Sequence, residues 1–261
     1  MDVPLLECQA VSRSFGALKA VDRVSFRLDR GEVLGIGGPN GAGKTTLFDV
    51  ITGITPPSGG RIAFAGHDIT DAGMTAICHR GLARTFQLNA AFEHLTVSEN
   101  IAVAAHFGRR SRRFPGFRTA AATRAAVREA IELVGLTGKE GAIAGSLPVL
   151  DRKLLMIASA VATAPSIILL DEPVGGLNVQ EIDRVQAIIE DVRGRDITIV
   201  VIEHVMRFLL TLSTRVLIMH HGQIIFEGMP REVAEDPTVV ETYLGTGAAR
   251  RLQSHFGAAA G

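Results

Sequence analysis

The sequence contains little cysteine, little net charge and no long apolar run, and each shortage excludes a class of protein. Only two of its 261 residues are cysteines, Cys8 and Cys78, which lie far apart and outside any CxxC pattern. We therefore expect no disulfide framework and no zinc site, and a reducing cytosol fits this composition.

Charge of one sign is not in excess either. Lysine and arginine together number 27, and aspartate and glutamate also number 27. Proteins that bind nucleic acids usually carry a basic excess. The composition therefore argues against a nucleic-acid partner, and a basic run at 108–118 is typical of a solvated loop or of contact with anionic groups at a membrane partner.

No apolar stretch approaches the roughly 18 residues that suggest a membrane-spanning helix. The longest candidates, ITIVVIEH and FLLTLSTRVLIMHH, are interrupted by charged or polar residues. The N-terminal MDVPLLECQ carries acids and a proline where a signal peptide has a basic start and an apolar run. We expect a soluble chain whose role at a membrane comes through a partner.

What the chain does contain is an alternation of strands and helices. Short apolar strands such as SIILLD, DITIVVIE and RVLIMH are separated by helix-length segments, a pattern typical of a mainly parallel sheet covered on both faces. We expect one domain over residues 1–245, with a core at 1–88 and 160–245 and a helical subdomain at about 89–159. Residues 246–261, rich in glycine and alanine, are expected to form a flexible tail.

Local patterns give three further expectations. Thr96 and Glu99 predict a capping box at a helix start. RVLIMH and QIIFEG predict a hairpin across HHG. His220 and His221 are adjacent at a strand end, so we expect their side chains to point to opposite faces and not to share a metal.

The segment GGPNGAGKTT follows the strand EVLGIG and opens a helix, which is the context that a phosphate-binding P-loop requires. Gly38, Gly41 and Gly43 allow the backbone to turn its N–H groups toward phosphate oxygens. Lys44 is expected to reach the β- and γ-phosphates, and Thr45 to offer a hydroxyl to Mg²⁺. The other residues expected to line the nucleotide are Pro39, Asn40, Ala42 and Thr46. The alternative, a glycine-rich turn without chemistry, lacks this strand–helix context.

SIILLDEP places two acids at the end of a buried strand, where ligands of such sheets bind. Asp171 can hold magnesium, and Glu172 can orient or deprotonate an attacking water. Without a P-loop, the same pair would be read as a solvated strand end. Hydrolysis of a nucleoside triphosphate is the expected reaction, because the sequence offers neither a second substrate site for a kinase nor an NKxD-type guanine reader.

The order of these motifs resembles that of the ABC-transporter ATPases over nearly the whole chain. ARTFQ resembles their glutamine loop and VIEH their switch histidine. More narrowly, RTFQ…LTVSENI, DEPVGGLN and the ending HHGQIIFEGMPREVAEDPTVVETYLG resemble the ATP-binding subunits of branched-chain amino acid importers.

This resemblance implies an α/β fold: a P-loop NTPase core with a mainly parallel sheet, an antiparallel β subdomain and a helical insertion. It also implies that Phe15 stacks on adenine, although a strand-end phenylalanine can equally be core. Gln87 would sense the γ-phosphate and contact magnesium, or else be a surface residue. His204 would grip the γ-phosphate, or else be a structural residue. ATP and Mg²⁺ are the implied cofactors.

The implied assembly is a head-to-tail dimer with a second cassette, for which we favour a heterodimer, on two membrane permeases served by a substrate-binding protein. The chain would then lie on the cytoplasmic side of the inner membrane. Cassettes for urea, short amides or other amino acids remain alternatives, as does a soluble cassette that acts on nucleic acid.

Residues 147–151, LPVLD, stand where the family signature LSGGQ is expected to contact the partner's γ-phosphate. Pro148 replaces the serine, and Val149 and Leu150 replace the glycines. Asp151 is expected to bring a carboxylate toward the phosphates, which at ~4 Å and an effective dielectric of ~20 costs about 4 kcal/mol, with Arg152 offsetting part of it. We expect a degenerate signature and an asymmetric dimer, although a subfamily could use this sequence productively.

Overall fold

The fold is described from a computed structural model, which covers residues 3–86, 91–108 and 117–258. Gln87 and most of the basic run at 108–118 lie outside the described residues, so the expectations for them stay predictions. The chain divides into two compact units. The first comprises Met1–Ala72 and Val200–Gly261, and the second comprises Gly73–Ile199.

Ten strands and nine α-helices are found within the described ranges. The strands are β1 (Leu6–Phe15), β2 (Leu18–Leu28), β3 (Val33–Gly37), β4 (Gly59–Phe64), β5 (His67–Asp68), β6 (Leu82–Arg84), β7 (Ile167–Asp171), β8 (Thr198–Ile202), β9 (Arg215–His220) and β10 (Gln223–Gly228). The helices are α1 (Lys44–Ile51), α2 (Met74–His79), α3 (Val97–Phe107), α4 (Phe117–Leu133), α5 (Val149–Ala162), α6 (Val179–Arg193), α7 (Met206–Leu212), α8 (Pro237–Val239) and α9 (Gly245–Ala258).

The first unit contains an antiparallel sheet in the order β2-β1-β4-β5. It also contains β3, which pairs in parallel with β9, and β9 continues into an antiparallel pair with β10. The C-terminal residues of β8 lie on the other side of β3. Every residue of β3 is buried, which is expected for a strand with neighbours on both sides.

The second unit combines strands with the helical segment. β6 pairs in parallel with β7, and the N–H of Thr198 at the start of β8 donates to the carbonyl oxygen of Ser166 at 3.0 Å. Helices α3, α4 and α5 pack against one another, and α4 and α5 also contact α6. All five residues of β7 are buried, so the acids at its end are carried on a rigid element.

Two local predictions are confirmed. Thr96 and Glu99 form the capping box at the start of α3. The hairpin of β9 and β10 forms with His220 paired to Gln223.

Two expectations are wrong. Residues 246–258 are not frayed, because α9 spans Gly245–Ala258 and buries Ala249 and Leu252; the alanines that suggested a tail are strong helix formers. The rings of His220 and His221 do not diverge, since their centroids lie 4.1 Å apart. His221 has a φ of 46° and lies in the turn, so strand alternation no longer applies to it.

Within the parts of the chain that the structure describes, no helix has both the length and the apolarity needed to span a membrane.

Candidate functional site

The loop between β3 and α1 has the backbone that the P-loop prediction requires. Gly38, Gly41 and Gly43 have φ values of 138°, 79° and 97°, a region that residues with a β-carbon rarely adopt. A β-carbon on Gly38 would lie 2.2 Å from the carbonyl oxygen of Met219, and one on Gly43 would lie 2.0 Å from that of Ala20. Glycine is therefore favoured by conformation at all three positions and required by space at Gly38 and Gly43.

Lys44 begins α1 and is held inside this loop. The residue is only 7% exposed, and its Nζ donates to the carbonyl oxygens of Gly38 at 2.7 Å and Pro39 at 2.9 Å. The N-cap of α1 is Gly43, which has no side chain to bond the first N–H groups of the helix. Open N–H groups together with an ammonium make a site for phosphate. Thr45 and Asn40 are exposed at the same end of the helix.

The turn between β9 and β10 supports the P-loop. The N–H of Gly222, between β9 and β10, donates to the carbonyl oxygen of Ala42 at 3.0 Å, and the carbonyl oxygen of Gly222 accepts from Asp22 at 2.9 Å. A β-carbon on Gly222 would approach the carbonyl oxygen of Lys19 to 2.9 Å. Sequence reasoning identified the hairpin but not this support, which depends on contacts between distant segments.

His204 follows the end of β8, the strand beside β3. Its side chain is 52% exposed, and its Nδ1 lies 3.6 Å from Oε2 of Glu203, whose side chain is fully buried. The same carboxylate oxygen accepts from the N–H groups of His204 at 3.0 Å and Val205 at 3.2 Å. Glu203 thus fixes the backbone and leaves the imidazole accessible to a ligand, which is the arrangement that the switch-histidine prediction needs.

The C-terminal segment reaches the P-loop through Tyr243. Burial raises the pKa of the Tyr243 phenol above its usual value; a hydrogen bond from the backbone of Gly38 opposes this rise and the charge of Glu203 adds to it. The sequence marked the ending YLG only as a family feature, so this contact was not predicted.

Phe15 ends β1 and is 49% exposed, so the alternative that it is a core residue is wrong. The guanidinium carbon of Arg13 lies 4.6 Å from the centroid of its ring, and Nη1 of Arg13 donates to the carbonyl oxygen of Pro56 at 2.9 Å. Arg13 thus covers part of the ring and holds it at the surface, where an aromatic base could stack.

In the second unit, Asp171 ends β7 and is deeply buried. Its Oδ2 accepts a hydrogen bond from Nη2 of Arg84 at 2.8 Å, and the two side chains are only 2% and 5% exposed. The N–H of Asp171 donates to Oγ1 of Thr85 at 3.2 Å. A solvated strand end is therefore excluded for Asp171. The segment ARTFQ was noted for its glutamine, whereas its arginine and threonine make the contacts that the structure describes.

Glu172 departs from the strand conformation. Glu172 has a φ of 49° and is partly exposed. Its carbonyl oxygen accepts a hydrogen bond from Nζ of Lys153 at 2.7 Å. The carboxylate of a residue held in this way can act on water. Sequence reasoning did not identify Lys153, because nothing local relates it to a residue on another element.

Two of the residues predicted to hold Mg²⁺ carry oxygen ligands, and their role stays a prediction. Within the described ranges, no group of three or more His, Cys, Asp or Glu side chains could hold a metal by itself. Mg²⁺ is usually bound by one or two carboxylates together with substrate phosphates and water. Asp171, in the second unit, supplies one carboxylate oxygen. Thr45, in the first unit, supplies one exposed hydroxyl.

The start of α5 differs from the expectation for LPVLD. Pro148 is the N-cap and has no side-chain capping bond, and Val149 is 39% exposed. Asp151 does not face outward toward phosphate, because its side chain is 5% exposed and forms an ion pair with Lys139. Arg152 bonds back to the carbonyl oxygen of Leu147 at 3.0 Å. The expected like-charge cost is therefore wrong, whereas the loss of the serine and glycines stands.

Comparison with known proteins gives consistent matches. A family model described as ABC transporter matches residues 21–175. The high-affinity branched-chain amino acid transport ATP-binding protein BraF of Pseudomonas aeruginosa is 34% identical over 253 residues, which are 94% of this chain and 99% of BraF. LivG of Escherichia coli K12, described in the same words, has the same identity and coverage.

Solved structures agree with these matches. A nucleotide-free ATP-binding cassette from an ABC transporter superposes with a TM-score of 0.83 at 30% identity, covering 93% of this chain and 100% of that one. The ADP conformation of the cassette MJ1267 gives a TM-score of 0.83 at 31% identity, covering 94% and 100%. The predicted fold class is confirmed by these structures and by the sheets and helices described above.

Proposed function

The chain belongs to the ABC transporter family, and from this premise we propose that it is the ATP-hydrolysing subunit of an importer for branched-chain amino acids. One observation carries the proposal: the match to BraF spans 94% of this chain and 99% of that protein. The chain therefore corresponds to the whole relative and not to a shared fragment. As a member of this family the chain is an ATPase, and the P-loop geometry supplies the physical basis for binding ATP.

The proposed mechanism gives each of the predicted site residues a role. The P-loop amides and Lys44 bind the phosphates, and to do so the Lys44 ammonium exchanges its carbonyl partners for phosphate oxygens. Glu172 accepts a proton from the attacking water, while His204 and Gln87 contact the γ-phosphate. Bound Mg²⁺, held by Asp171, Thr45 and Gln87, would supply positive charge against the phosphate oxygens.

The proposal of branched-chain amino acids as cargo rests on how much of each relative the chain covers, more than on the percentage of identical residues. The sulfate/thiosulfate import ATP-binding protein CysA 2 of Chromobacterium violaceum is also 34% identical to this chain, but the match covers only 60% of that protein. The cassette itself does not contact the cargo, so urea, short amides and other amino acids remain the alternatives. The zero net charge disfavours a cassette that acts on nucleic acid.

For the assembly, we propose a head-to-tail pair with a second, different cassette on two permeases at the cytoplasmic face of the inner membrane. A substrate-binding protein would deliver the cargo. Phe92 supports a docking surface in the second unit, because it is 56% exposed. The loop around it is fixed by Asn100, whose side chain bonds both the N–H and the carbonyl oxygen of Phe92.

An uptake experiment tests this function. In cells that depend on this chain, we expect labelled leucine, isoleucine and valine to be imported, and Lys44→Ala to reduce uptake by at least about 100-fold. Lys139→Ala, which breaks an ion pair with Asp151 in the other unit, is the matched control for loss of stability and should reduce uptake far less. Normal leucine uptake with Lys44→Ala would defeat the ATPase role. Uptake of urea or sulfate in place of leucine would reassign the cargo, and binding to nucleic acid but not to permease-containing vesicles would favour the soluble alternative.

A further inference from the structure

Helix α5 carries a lysine that reaches the residue proposed as the general base. Lys153 lies one turn after Val149, the first residue of the helix. Its Nζ donates to the main-chain carbonyl oxygen of Glu172 at 2.7 Å. Because the donor is an ammonium group, this hydrogen bond is stronger than one between two neutral groups. Both residues belong to the second unit.

The backbone of Glu172 needs such an interaction. Its φ of 49° lies in the left-handed region, where a residue with a β-carbon persists only if its surroundings fix it. The same carbonyl oxygen also accepts from the N–H of Gly175 at 3.4 Å. The longer distance makes Gly175 the weaker donor, so Lys153 makes the principal contact to this oxygen.

The preceding residue is fixed independently. Asp171 is bonded through its carboxylate to Arg84 and through its N–H to Thr85. The peptide before Glu172 is therefore set by Arg84 at the end of β6 and by Thr85 after it, and the peptide after Glu172 is set by α5. With the backbone fixed on both sides, the direction in which the Glu172 side chain leaves the chain is defined.

We propose that Lys153 is a positioning residue that directs the Glu172 carboxylate toward the attacking water. This inference rests on the proposed function, because it requires Glu172 to act in ATP hydrolysis. It also has a mechanical consequence. Lys153 is on the helix that begins at the signature position, so a displacement of the start of α5 is transmitted to Glu172 through one hydrogen bond.

Lys153→Met tests the proposal in the full chain assembled with its partner subunits. We expect kcat for ATP hydrolysis to fall about ten-fold or more, which is typical for loss of a hydrogen bond to a charged group. KM and the affinity for ATP should change by less than about two-fold, since the P-loop is untouched. Lys153→Arg keeps a charged donor and should restore kcat to within about three-fold of the wild type.

Two further variants separate positioning from stability. Lys139→Met removes the ion pair with Asp151, which lies on α5 like Lys153. This variant should lower the melting temperature without lowering kcat. Adding Lys153→Met to Glu172→Gln should cause no further loss, because residues that act as one unit are not additive.

An unchanged kcat in Lys153→Met would overturn the proposal, as would an equal fall of kcat in Lys139→Met. Should Lys153→Met fold poorly, a kcat of Lys153→Arg more than about three-fold below that of Lys139→Met would also overturn it. A wild-type assembly that does not hydrolyse ATP would instead defeat the proposed function, which keeps the two failures distinct.

Discussion

Helices α1 and α5 begin in opposite ways, although in this family both helix starts are expected to meet phosphate. Before α1, Gly38 and Gly43 have positive φ and leave no room for a β-carbon. Before α5, the N-cap is Pro148 and the first helical residue is an exposed valine. The P-loop therefore has the backbone of a phosphate site, whereas the start of α5 lacks the serine and glycines of the signature. That α5 serves a partner's site poorly stays a prediction.

The largest expected effect concerns the asymmetry of the assembly. Glu172→Gln in this chain should reduce transport by at least about 100-fold, because the general base of the competent site is lost. The equivalent change in the partner cassette should reduce transport by less than about five-fold, since its site faces LPVLD. Transport into vesicles with each variant is the measurement, and equal losses from the two would remove the asymmetry.

A second pair of variants compares the two helix starts by stability. Gly43→Ala should lower the free energy of unfolding by about 2 kcal/mol or more, because it combines a left-handed φ with a clash against Ala20. Val149→Gly should cost less than about 1 kcal/mol at an exposed first helical position. Denaturant unfolding measures both, and similar costs would show that the P-loop tolerates a β-carbon.

The smallest effect is expected at Asp151. Asp151→Asn breaks its ion pair with Lys139 and should lower the free energy of unfolding by about 1 kcal/mol, a value reduced by the partial exposure of the lysine. ATP hydrolysis by the assembly should stay the same. If the variant instead strengthened ATP binding at the partner's P-loop, Asp151 would face phosphate as its sequence position first suggested.

Much of the fold could be predicted from local patterns. The glycines of the P-loop, the Thr96 capping box and the β9–β10 hairpin are each encoded by a few adjacent residues, and each is found in the structure. The helical ending was mispredicted because alanine-rich segments occur both in tails and in helices. Burial of Leu252 decides between them, and burial depends on tertiary packing.

In the candidate site, too, the contacts that depend on tertiary packing could not be predicted from local sequence. The sequence indicated Lys44, Asp171, Glu172 and His204, whose roles stay predictions, but not the residues that hold them. Arg84 is 87 positions away from Asp171 in the chain, and Lys153 is 19 positions away from Glu172. Such contacts have no periodicity or spacing of their own, so they become visible only when the elements are packed.

The Lys44 side chain ties the start of α1 to the loop that precedes it. Its ammonium donates to the carbonyl oxygens of Gly38 and Pro39, so one cation holds both the loop and the helix start. A substitution that removes this cation would therefore loosen the curved backbone as well as remove a phosphate ligand.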